Sequence, residues 1–128
     1  MDIAKLIVDL SNPNEKLAAM ASADLASQIW AGSIDEPTLV QWLEGGDELL
    51  RATIAWAVWD AGRPPLALRL LMELGTNDRN ETVRLYSLRS WIDYHPKDAV
   101  RSMTILNFCN DKCSTISHRA AKAVSDRA

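Results

Sequence analysis

The side chains best suited to chemistry are few and fall at odd spacings. Cys109, Cys113 and His118 sit within ten residues of one another. Thiolates and an imidazole are zinc ligands, but C-x3-C then His is not a zinc-site spacing. With two histidines in the chain, a fourth ligand would be His95 or a distant carboxylate. No metal is expected, and part-buried structural cysteines are the simpler reading. Cys113 falls near the start of a helix, where the thiolate is favoured, so a reactive thiol is the other chemistry open to it. Arg51 and Arg84 could grip a phosphate or carboxylate through the planar guanidinium. There is no Gly-rich phosphate loop, no G-x-S-x-G and no H-E-x-x-H. Neither histidine has a Ser or Cys at an evident triad spacing. These residues predict no enzyme and no cofactor.

What must hold them in place is a repeat. Written in rows of 33, the 128 residues form columns. One reads Leu17, Leu50, Val83, Ile116; four places on, Ala21, Ile54, Ser87, Ala120; four further, Leu25, Val58, Trp91, Val124. Spacings of i, i+4, i+8 mark one face of a helix, so each row predicts an amphipathic helix (B) with the same buried side. The column Asn12, Gly45, Asp78, Asp111 supplies residues that N-caps favour, with Glu15, Glu48, Glu81 and Ser114 three places on, as in a capping box. A second apolar helix (A) precedes each B helix: Ile3–Leu10, Leu39–Leu43, Leu66–Leu74 and Ala99–Phe108, in looser register. Gly32, Gly62 with Pro64 and Pro65, and Pro96 are the stops between rows. No segment alternates convincingly as a strand. The prediction is all-α, eight helices in four A–B pairs, one domain over 1–128 with rows of about 1–32, 33–62, 63–95 and 96–128. One pair cannot bury its apolar face alone, and stacked pairs share a continuous core. The last row, STISHRAAKAVSDRA, is Ala-rich and charged, as suits the end of a stack.

The stretch LLRATIAWAVWDAGRPPLALRLL resembles a HEAT-like repeat of the short, phycobilisome-lyase type. It carries the apolar–Arg start (Leu50–Arg51, echoed by Val83–Arg84), the mid-helix Ala55–Trp56–Ala57 and the Gly62–Arg63–Pro64 stop. Ala18 and Ser117 replace the arginine in the first and last rows. The resemblance is strongest over about residues 45–95. It implies a right-handed α-α superhelix whose B helices line a concave surface. It also implies that Arg51 and Arg84 stack between repeats, paired with acids or carbonyls near the turns. The fold serves scaffolds, lyases, repair enzymes and inhibitors, so it does not fix the function.

On that surface the exposed B-helix columns would be Met20, Thr53, Tyr86, Arg119; then Ala23, Trp56, Arg89, Lys122; then Ala26, Trp59, Ile92, Ser125. The candidate partner-binding groove is therefore Trp56, Trp59, Tyr86, Arg89, Arg119 and Lys122, since aromatics with arginine dominate interface energetics. The competing reading makes Trp56 and Trp59 gap-fillers between helices. Trp56 with Asp60 is similar to the aromatic–acid arrangement of HEAT-like alkylpurine DNA glycosylases, which would imply base-excision chemistry, as the lyase resemblance would imply bilin attachment. Asp60 as a solvated helix-end residue is the plainer reading.

Charge narrows the classes. Residues 1–64 carry ten acids and four bases, residues 65–128 seven acids and ten bases, for a total of −3. Such polarity can orient a partner. Overall acidity disfavours non-specific nucleic-acid binding, although Arg89, Arg119, Lys122 and Arg101 offer a basic face for it. MDIAKLIVDL lacks the features of a secretory leader, and no run approaches the ~20 apolar residues of a membrane span. Two cysteines make no disulfide framework. A cytoplasmic, non-catalytic protein-binding module of the adaptor, inhibitor or immunity type is the leading expectation, with nucleic-acid binding the alternative.

Overall fold

The computed structural model describes residues 3–62 and 75–126. Among them are seven helices and no strand: α1 (Ile3–Leu10), α2 (Glu15–Ala31), α3 (Glu36–Gly45), α4 (Glu48–Ala61), α5 (Glu81–Tyr94), α6 (Ala99–Phe108) and α7 (Ser114–Ser125). The A helices expected at Ile3–Leu10 and Ala99–Phe108 are α1 and α6, and that at Leu39–Leu43 lies inside α3. The one expected at Leu66–Leu74 falls outside the described residues. None of the described helices is long and apolar enough to cross a membrane.

Each B helix packs on the next: α2 on α4, α4 on α5, α5 on α7. The A helices lie against them, α1 on α2 and α4, α3 on α4, α6 on α5 and α7. The three core columns account for this. Ala21, Leu25, Leu50, Ile54, Val58, Val83, Ser87, Trp91, Ile116 and Ala120 are all buried. The two exceptions lie in the first and last rows: Leu17 is 43% exposed and Val124 is half-buried. Apolar burial of this kind, at about 25 cal/mol per Å2, holds the rows together.

The helix starts differ from expectation by two residues. The N-caps are Asn14, Asp47, Asn80 and Cys113, so Glu15, Glu48 and Glu81 open the first turn and do not close a capping box. Asn14 accepts from the amides of Lys16 and Leu17, Asn80 from Thr82 and Val83, Asp47 from Leu50. Asn12, Asp78 and Asp111 do something else: each accepts the amide two residues on, from Asn14, Asn80 and Cys113. This Asx turn bends the chain into the cap and satisfies an amide outside the helix. Both columns are therefore Asn/Asp-rich, and a cap read from composition alone can settle on either. At the other end, Gly32 and Gly62 close α2 and α4 at φ of 76° and 67°, a left-handed conformation that glycine adopts without a Cβ clash.

The Asx column also takes the arginines. Arg51 donates Nε and Nη2 to Asp78, at 2.9 and 3.0 Å, and Nη1 to the Gly46 carbonyl. One row later Arg84 donates Nε and Nη2 to Asp111, at 2.9 and 3.2 Å, and Nη1 to the carbonyls of Asp78 and Arg79. Each bidentate pair joins the body of one B helix to the turn that launches the next. In the first row both members are missing together, with Ala18 and Gly45 in place of Arg and Asp. Arg51 and Arg84 are thus structural and are not available to an external phosphate.

The ladder gives the protein an acid limit. Burial alone would raise the Asp78 and Asp111 carboxyls. The arginine hydrogen bonds, the amides of Asn80 and Cys113, and the neighbouring positive charges outweigh it and hold both below their ordinary value. A carboxyl depressed on folding contributes stability that is complete above its unfolded pKa, about 3.9, and is lost as pH falls through the folded one. Stability should therefore be flat from neutral pH down to about pH 5 and fall below about pH 4. Urea midpoints measured against pH check this, and an Arg51→Met, Arg84→Met double variant should show a shallower acid limb.

Candidate functional site

α4 and α5 pack on each other, and the side chains between them decide what the seam looks like. Trp56 and Trp59 from α4 meet Tyr86 and Arg89 from α5. The Trp56 and Tyr86 rings stack with centroids 6.3 Å apart, and Trp59 and Tyr86 tilt together at 5.5 Å. The Arg89 guanidinium lies 3.8 Å from the Trp59 ring centroid and 5.4 Å from that of Tyr86, a cation–π arrangement. All four side chains are half-buried: the seam packs them, and each keeps a face toward solvent. Trp56 and Trp59 thus pack between the helices while staying partly exposed.

Two residues outside the expected set complete the seam. Asp93 accepts a 2.9 Å hydrogen bond from Trp59 Nε1, and Tyr94 donates through its hydroxyl to the Trp59 carbonyl at 2.7 Å. The same carbonyl takes the Gly62 amide at 3.2 Å. Trp59 is therefore held at ring and backbone. Burial first, then the charges of Asp93 and Asp60, raise the Tyr94 phenol, and Arg89 opposes them. The signal for Asp93 was present in the rows: Ser27, Asp60, Asp93 and Asp126 form a column, with acid at the negative ends of helices where bases are favoured.

The other expected residues are placed differently. Arg119 and Lys122 are exposed on α7, which packs on α5. They occupy the columns of Tyr86 and Arg89 in the next row. Thr53 and Ala26, read as exposed, are 6% exposed each. Thr53 bonds the Leu49 carbonyl, and Ala26 joins the core. Their columns sit on the border of the buried face, where small residues sink and large ones emerge. Arg101, assigned to a basic face, is 5% exposed. Its Nε and Nη2 donate to the carbonyls of Trp91 and Ile92, so it caps the C-terminal end of α5.

Two clefts continue the seam on the α2 side. One of about 520 Å3 is lined by Trp56 with Glu15, Lys16, Ala18 and Ala19. Another, about 440 Å3, lies between α2 and α4 and is lined by Trp30, Asp60, Ala23, Ala26, Ser27 and Ala61. Trp56 and Asp60 thus line different clefts. A wider recess of about 680 Å3 between α1 and α2 is lined by Lys5, Asp9, Met20, Asp24 and Gln28 among others, without an aromatic ring. Cys109 and Cys113 are free thiols, both half-buried. Cys113 caps α7 without a side-chain bond. His118 is exposed, while His95 stacks on Trp91 at 4.5 Å. No group of three or more His, Cys, Asp or Glu suited to a metal occurs among the described residues.

Set beside family models, curated proteins and solved structures, the chain matches none.

Proposed function

We propose that the chain is a non-catalytic protein-binding module, a short HEAT-like α-α superhelix that grips a segment of another protein along its B helices. The carrying observation is the half-buried cluster of Trp56, Trp59, Tyr86 and Arg89 across the α4–α5 seam. Large rigid rings fixed by packing lose little entropy on binding and bury much area, the usual character of interface hot spots. Arg119 and Lys122 extend this surface over α7. Arg101, one of the four bases of the candidate basic face, is committed to internal carbonyls, and this favours a protein partner over nucleic acid.

The test is a pull-down from native lysate. A Trp59→Ala, Arg89→Ala double variant should lose specific partners, with affinity down at least about a hundredfold, as removal of two central hot spots does. Retention of every partner by that folded variant would show the assignment to be wrong. A salt titration separates the nucleic-acid alternative, whose binding would fall steeply between about 50 and 200 mM salt.

A further inference from the structure

We infer that the α4–α5 seam is a carboxylate receptor, built for an acidic segment that also carries an apolar side chain; this rests on the protein-binding reading above. Arginines that are partly or wholly buried here have partners: Arg51 has Asp78, Arg84 has Asp111, and Arg101 has two carbonyls, with its Nη1 alone unbonded. Arg89 is different. It is half-buried, its guanidinium carbon 3.8 Å from the Trp59 ring centroid, yet among the described residues its guanidinium has no hydrogen bond or ion pair, and its Nε is shut from water without an acceptor. Asp93, four residues on along α5, is the ordinary partner for it, but the hydrogen bond of that carboxylate is to the Trp59 indole.

Stacking occupies the faces of a guanidinium and leaves its N–H donors pointing outward in the plane. A planar fork held still by two rings suits a carboxylate, which it can bind through two parallel hydrogen bonds. Such a carboxylate would bond the two Nη groups, which have no other partner among the described residues. Charge agrees on one side of the site: the adjoining row offers Arg119 and Lys122, both exposed. Asp60 and Asp93 lie toward the helix C-termini and repel acid from the other side, so the carboxylates of the segment point toward α7. The Trp56–Tyr86 rings beside Arg89 take the apolar side chain.

A phage-displayed library of random peptides about twelve residues long can be selected on the full chain, with the Arg89→Gln chain as counter-selection. Peptides kept by the wild type and lost on the variant should carry Asp or Glu beside Leu or an aromatic. As synthetic peptides they should bind Arg89→Gln at least about tenfold more weakly. Arg89→Lys, which keeps the charge and loses the fork, should recover only part of this. Circular dichroism and urea midpoints establish that both variants fold. Neutral or basic winners, an empty selection, or binding indifferent to Arg89→Gln would each overturn the carboxylate receptor. So would Arg89-dependent binding of single-stranded oligothymidylate without acidic-peptide binding. Neutral winners that fail on Trp59→Ala overturn the receptor alone and support the groove. Winners indifferent to both Trp59→Ala and Arg89→Gln overturn the groove as well.

Discussion

Arg84→Ala should destabilise the protein by about 3–5 kcal/mol, the cost of stripping one partner from a buried ion pair. The Arg84 and Asp111 side chains are 8% and 9% exposed, so water cannot replace what is lost. The substitution removes both hydrogen bonds to Asp111 and frees the carbonyls of Asp78 and Arg79. Asp111 keeps the Cys113 amide, but a single amide does not neutralise a buried carboxylate. Arg84→Met with Asp111→Leu removes both charges and should recover a large part of the loss. Arg51→Ala should cost less, because the Arg51 side chain is 17% exposed. Urea unfolding of the four chains measures all of this. A loss below about 1 kcal/mol for Arg84→Ala would place the pair with ordinary surface bridges and remove the ladder from the account of how the rows are joined.

The second large effect belongs to Trp91. It is 1% exposed in the cluster of Leu88, Ile105, Phe108, Ile116 and Ala120, which unites α5, α6 and α7. Trp91→Ala should cost about 3–5 kcal/mol, the transfer term plus the cavity left behind. Trp91→Phe should cost far less than Trp91→Ala. The indole N–H of Trp91 has no acceptor, so phenylalanine removes an unmet buried donor along with the volume. It also keeps a ring for His95 to stack on. Thermal and urea denaturation of the two variants give the comparison. Equal losses would mean that the indole nitrogen contributes what its geometry says it does not.

These residues show what could be read before the fold was known. The period of 33 follows from the core columns because burial repeats with the row, and the columns break only at Leu17 and Val124, in the first and last rows. The arginine ladder was half visible. Arg51 and Arg84 stand one period apart, but their partners lie 27 residues on, across a turn whose path the sequence does not specify. The caps were misplaced by two residues because Asx turn and cap both select Asn and Asp. For the candidate site, the spacing brought Trp56, Trp59, Tyr86 and Arg89 together correctly. It missed Asp93, although Asp60, Asp93 and Asp126 share a column, and Tyr94, since a hydrogen bond to a carbonyl at a helix end has no periodic signature. It also overcounted free bases, since nothing in the spacing of Arg101 tells that α5 ends against it.

The five tryptophans supply the most direct test of the proposed binding surface. Trp56 and Trp59 are in the seam, Trp30 lies 65% exposed near the end of α2, Trp42 is half-buried on α3, and Trp91 is in the core. Indole N–H resonances of 15N-tryptophan-labelled protein, assigned by single Trp→Phe variants, report on all five at once as a captured partner is added. Binding along the B helices predicts that the Trp56 and Trp59 signals move while those of Trp42 and Trp91 stay. Shifts at Trp42 with Trp56 and Trp59 unmoved would put the partner on the A helices and contradict the account.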